Sequence, residues 1–116
     1  MDIKTLAGEV LTHVDEGGDQ ILLTTESGRT IKIYHEQDCC ESVSIQDRTG
    51  EWHTLIGKVI VEADAKEEQL SDQKYESATL TTLTFSTNED TVISRWIGES
   101  NGYYSESVDL CELQKA

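Results

Sequence analysis

Residues 35–41 read His-Glu-Gln-Asp-Cys-Cys-Glu, which places an imidazole, three carboxylates and two thiols within seven positions. On paper this is a metal-ligand inventory. Structural zinc, however, takes cysteine pairs spaced about two to four residues apart, with a second pair elsewhere. Cys39 and Cys40 are adjacent, so on a strand they would point to opposite faces, and the third cysteine, Cys111, is remote. No metal site is expected. A nucleophilic thiolate needs a neighbouring cation, whereas these thiols lie between Asp38 and Glu41.

Residues 95–106 form the second constellation, Arg-Trp-Ile-Gly-Glu-Ser-Asn-Gly-Tyr-Tyr-Ser-Glu. Aromatic rings offer flat stacking surfaces, and an arginine offers a planar fork for phosphate or carboxylate. The candidate ligand-binding set is Arg95, Trp96, Glu99, Asn101, Tyr103, Tyr104 and Ser105, joined by His35 and Asp38 from the first segment. In such a site Arg95 would meet a phosphate, Trp96 or a tyrosine would stack on a base, and Asn101 and Ser105 would bond its edges. Taken alone, Trp96 equally suits the core of a hairpin. Tyr103 and Tyr104 are neighbours on a strand, so one of them is expected to be at least half-exposed. No phosphate-binding glycine loop, H-E-x-x-H, G-x-S-x-G or EF-hand pattern occurs. Neither a catalytic residue nor a cofactor is expected, and the protein reads as a non-enzyme.

The elements that must position these residues are strands. Alternating apolar and polar residues recur at short intervals, separated by turn residues, across 116 positions that contain no proline. Strands are expected at Gly8–Val14, Gln20–Thr25 and Thr30–His35, with Ile31, Ile33 and His35 sharing one face. A further strand surrounds Val43 and Ile45, and Trp52, Leu55 and Ile56 suggest a short helical turn before Lys58–Ala63. The acidic window Glu62–Glu76 reads as a solvated loop or short surface helix. Ala78–Ser86, Thr91–Ile97 and Tyr103–Leu110 complete the set, the last two joined by a hairpin turn at Asn101-Gly102. The expected fold is mainly β: one domain over residues 1–116, an antiparallel sandwich or partly open barrel of about eight short strands with little helix.

Charge narrows the partners. The chain carries 9 basic and 23 acidic side chains, a net charge of −14. Direct nucleic-acid binding is disfavoured, because it depends on cations neutralising phosphate. Attraction to basic surfaces is favoured. Neither an apolar run long enough to span a bilayer nor a secretion signal is visible, and the odd cysteine count suits reduced thiols. A cytoplasmic protein is expected.

Residues 34–43, 55–60 and 95–108 (Tyr-His-Glu-Gln-Asp-Cys-Cys-Glu-Ser-Val, Leu-Ile-Gly-Lys-Val-Ile and Arg-Trp-Ile-Gly-Glu-Ser-Asn-Gly-Tyr-Tyr-Ser-Glu-Ser-Val) resemble a family of small phage and prophage proteins of uncharacterised function, DUF7448-like. The resemblance covers most of residues 30–110 and weakens between 58 and 85. It implies a viral or prophage origin, and so a cytoplasmic role in the infected bacterium. Two counter-defence activities then compete. One is sequestration of a small nucleotide immune signal at the candidate set. The other is blockade, as a nucleic-acid mimic, of the basic groove of a host nuclease, restriction or CRISPR effector. Sequestration comes first because mimicry requires no Asn-Gly-Tyr-Tyr segment. It also requires cations gathered from Arg95, Arg48, Lys58 or Lys32 to offset the repulsion, which a homo-oligomer could assemble. If the set is the site, Arg95→Ala and Tyr103→Ala each abolish nucleotide uptake, measured by native mass spectrometry, while leaving the fold intact. Unchanged uptake in both removes the assignment.

Overall fold

The computed structural model describes residues 2–36, 41–70, 77–100 and 106–113. It contains eight strands: β1 (Leu11–Gly17), β2 (Gln20–Thr25), β3 (Thr30–Tyr34), β4 (Ser42–Thr49), β5 (Glu62–Leu70), β6 (Ser77–Ser86), β7 (Thr91–Ser100) and β8 (Asp109–Leu113). They form two antiparallel four-stranded sheets, in the orders β1-β2-β3-β8 and β4-β7-β6-β5. Short 3₁₀ turns at Ile3–Leu6 and Trp52–Thr54 are the only helical elements among the described residues. The mainly β class read from the alternation is the class found.

Alternation explains the packing. Ile21 and Leu23 of β2, Ile31 and Ile33 of β3, Leu83 and Phe85 of β6, and Val92 and Trp96 of β7 are all fully buried and meet in one core. Successive strand residues point to opposite faces, so each such pair lines the inner side of its sheet. Trp52 closes one margin: its ring lies 5.6 Å from that of Phe85, and its indole N–H donates to Glu16 Oε2 at 2.7 Å.

Several boundaries differ from expectation; the strand expected at Lys58–Ala63 is reduced to an isolated bridge at Val59, and β5 starts only at Glu62. Residues 8–10 do not open β1. Instead Gly8 N donates to Ile60 O at 2.7 Å, Ile60 N donates to Glu9 O at 2.8 Å, and Val10 bridges Val59. The window expected as an acidic loop is in large part β5, whose pairing with β6 runs unbroken from Glu62↔Ser86 to Leu70↔Ala78. Backbone pairing makes that strand, so its exposed side chains carry no alternation to read. Finally, β7 and β8 are not hairpin partners. β7 pairs with β4 and β6, whereas β8 pairs with β3 in the other sheet. The expected turn at Asn101-Gly102 lies outside the described residues.

The chain's passage between sheets requires a bare position in β7. A Cβ on Gly98 would stand 2.5 Å from the Glu106 carbonyl oxygen and 2.8 Å from its Cβ. Gly98→Ala is therefore expected to cost about 1–3 kcal/mol by forcing the backbone apart. Gly17→Ala, which meets nothing within 4 Å, should stay within about 0.5 kcal/mol of the parent. Urea unfolding of the two variants makes the comparison.

Candidate functional site

Antiparallel pairing gathers the ends of β3, β5 and β7 and the starts of β4, β6 and β8 at one end of the sandwich, beside the β1–β2 turn. His35 continues the inward phase of Ile31 and Ile33 past the end of β3. Its side chain is 3% exposed and that of Glu41 is 1% exposed. The imidazole Nδ1 lies 2.7 Å from the Ser107 carbonyl and Nε2 lies 3.1 Å from Glu41 Oε1. A carbonyl only accepts, so Nδ1 carries a proton. The Nε2–Oε1 contact then needs one more, held by the imidazole or by the carboxyl. Asp109 Oδ2 stands 3.9 Å from Nδ1.

Next to this pair, Glu106 is buried as well. Its Oε1 accepts from Thr79 Oγ1 at 2.7 Å and its Oε2 from Ser100 Oγ, while Gln69 Nε2 donates to Thr79 at 3.0 Å. Carboxylates taken out of water need such donors. Here β6 and β7 supply them, and Gln69 of β5 orients the Thr79 hydroxyl.

A cleft of about 360 Å³ opens beside His35, lined by Asp19, Gln20, Lys32, Tyr34 and Glu36 among others. Gly18 and Asp19 take left-handed backbone conformations (φ 60° and 56°), which turns β1 tightly into β2. Asp19 Oδ1 accepts from Ile45 N at 3.2 Å, so the turn is moored to β4 at the point where β4 slips register. The Lys32 ammonium lies 4.4 Å from the centroid of the Tyr34 ring, within cation–π range. Partial burial, and then the negative charge of Cys111, Glu36 and Asp109, hold the Tyr34 phenol above the ordinary tyrosine range.

Of the residues proposed from sequence that lie among the described residues, only His35 reaches this end in a site-forming position. Trp96 is fully buried, with its indole N–H donating to Ser94 Oγ at 3.1 Å. It belongs to the core, the other role its pattern allowed. Arg95 and Glu99 share the opposite, outer face of β7. Arg95 Nη1 donates to Asp47 Oδ1 at 2.9 Å and to Thr49 Oγ1 at 3.0 Å. Four strand positions separate Arg95 from Glu99, a span of about 13 Å, so they do not converge. Asp38, Asn101, Tyr103, Tyr104 and Ser105 lie outside the described residues, as do Cys39 and Cys40. Sequence reasoning passed over Glu41, Glu106 and Asp19, because in so acidic a chain no single carboxylate stands out. Lys32 and Tyr34 were legible as one strand face but not as a pair.

The remaining arginines, and Lys58, are also engaged with carboxylates. Arg29 meets Glu9 at 3.0 Å and Glu112 at 2.6 Å, and Arg48 meets Glu16 at 3.0 Å and Glu51 at 3.2 Å. Lys58 meets Glu89 at 2.7 Å and Asp90 at 2.9 Å. Hydrogen bonds to Glu112 and Glu9 hold the Arg29 pKa above its usual value, and those to Glu89 and Asp90 do the same for Lys58. Among the described residues, no three metal-ligating side chains cluster, and no helix is long and apolar enough to cross a membrane.

Fold and site together define an antiparallel β-sandwich with one polar, cleft-bearing end. The chain belongs to the family described as a domain of unknown function, DUF7448, whose model matches residues 4–110. No curated protein and no solved structure matches it.

The two candidates His35 and Arg95 differ in what they hold. His35→Ala strips buried Glu41 of its imidazole partner and is expected to cost about 1–3 kcal/mol of stability. Arg95→Ala breaks a surface pair and should cost no more than about 1 kcal/mol. Denaturant midpoints of the two variants decide between a structural histidine and a dispensable one.

Proposed function

We propose that the protein is a non-enzymatic, phage-encoded counter-defence factor that occupies the basic groove of a host defence protein. Its origin and setting rest on the resemblance carried by residues 34–43, 55–60 and 95–108. The mode of action rests on one observation: Arg29, Arg48, Arg95 and Lys58 are each held by carboxylates at separate places on the fold. Sequestering an anionic nucleotide needs cations gathered at one point, and within one chain these are dispersed. The cleft beside His35 sets a single ammonium, Lys32, against the carboxylates of Asp19 and Glu36. With a net charge of −14, the chain has an excess of acids, and these four cationic side chains bind the protein's own carboxylates. Such an excess steers the molecule toward basic partners.

A second reading has its own support. The Lys32–Tyr34 pair on the wall of the cleft combines a cation with a ring, the minimum for holding a phosphate and stacking a base. In this reading a nucleotide is sequestered at the cleft, and Arg95 and Trp96 play no direct part.

Affinity capture from a host lysate, paired with native mass spectrometry of the purified protein, separates the two. Blockade predicts retention of a basic nuclease or effector subunit at low salt and its release at about 1 M salt, where charges are screened beyond about 3 Å. Sequestration predicts a retained nucleotide, and thermal stabilisation worth about 2.7 kcal/mol when that nucleotide is restored at a hundredfold excess over its Kd. Retention that ignores salt, or a nucleotide without a protein partner, overturns blockade.

A further inference from the structure

β5 ends the second sheet and is hydrogen-bonded along one side only, to β6. The other side of an edge strand presents a row of backbone N–H and C=O groups. Among the described residues, no backbone hydrogen bond from another segment reaches Glu62–Leu70 from that side. The turn at Ile3–Leu6 packs against the beginning of the strand, around Glu62–Asp64. From Ala65 to Leu70 every residue is exposed. The result is a straight, accessible ladder half, moored to β6 by nine residue pairs.

We propose that this edge takes up an extended basic segment of the partner protein as a fifth strand of the sheet, the mode in which main-chain bonds supply affinity and side chains supply selectivity. The proposal rests on the reading of a basic protein target and states how that target is gripped. Charge selects the occupant. Glu62, Asp64, Lys66 and Glu68 share one face of β5, and Glu67 lies on the other, so four carboxylates surround a single ammonium. A second copy of the chain fits poorly. Antiparallel self-pairing centred on Lys66 sets Lys66 against itself and Asp64 against Glu68, and centring on Glu67 sets Glu67 against itself. Like charges directly opposite one another destabilise a ladder. An incoming strand bearing lysine or arginine at the positions opposite Glu62, Asp64 and Glu68 turns the carboxylate repulsions into attractions.

Two synthetic ten-residue peptides of equal charge test the proposal, one alternating lysine with threonine and the other alternating lysine with proline. Proline cannot donate to a ladder. Strand addition predicts that the threonine peptide binds at least about tenfold more tightly and slows amide exchange across Ala65–Leu70. It also predicts that Glu67→Lys with Glu68→Lys, both at exposed positions, removes that preference while the fold is retained. Equal binding of the two peptides, or unchanged exchange at Ala65–Leu70, overturns the edge assignment and leaves the basic-target reading standing. Binding of neither peptide at low salt overturns both. Dimerisation of the protein alone, with protection of Ala65–Leu70, makes a second copy the occupant and overturns the proposal.

Discussion

Glu106 and Ser107 hold the sheets together where the chain has left one and is about to enter the other. The Glu106 carboxylate collects hydroxyl donors from β6 and β7 in the second sheet, while the Ser107 carbonyl accepts a hydrogen bond from His35 at the end of β3 in the first. Everything at this end of the sandwich depends on that crossing. Gly98 must lack a side chain for Glu106 to lie there. His35 must point inward to meet Ser107, and Glu41 must follow it into the interior to satisfy the second ring nitrogen. The cleft is bounded by what remains of β3 once His35 has turned in, namely Lys32, Tyr34 and Glu36, and by the moored turn at Asp19.

The opposite end and the margins are managed by charge. Arg29 ties the N-terminal turn to Glu9 and to β8, donating to partners as far apart in sequence as Thr5 and Glu112. Arg48 joins β1 to β4 and to the turn before Trp52, and Lys58 clasps the β6–β7 turn. In a molecule with so few cations, Arg29, Arg48 and Lys58 serve as seams between segments distant in sequence.

How much of this was legible in the sequence depends on whether a strand has a dry side. β2, β3, β6 and β7 each bury one face, so the alternation of Ile31 and Ile33, or of Leu83 and Phe85, announced them and their orientation. β5 has almost no dry side beyond Ala63, and its composition was that of a loop. Its strand character comes from the ladder with β6, a non-local property that no local pattern encodes. The site divides in the same way. His35 was singled out with its acidic and thiol neighbours, and the alternation of Ile31 and Ile33 gave its inward direction. Trp96 and Arg95 were grouped because they are adjacent in sequence, yet adjacency on a strand sends two side chains to opposite sides of a sheet. Glu41 and Glu106 matter through burial, which sequence does not mark among 23 acidic residues.

The pairing of β8 with β3 has a consequence for the order of assembly. During synthesis β1, β2 and β3 emerge first and can pair as a meander, but their fourth strand follows all four strands of the other sheet in the chain. Until then the first sheet lacks its outer strand, and the cover for Ile21, Leu23, Ile31 and Ile33 arrives only with β6 and β7. A nascent chain therefore holds an open apolar surface through most of its translation, and the native topology closes late, through contacts distant in sequence.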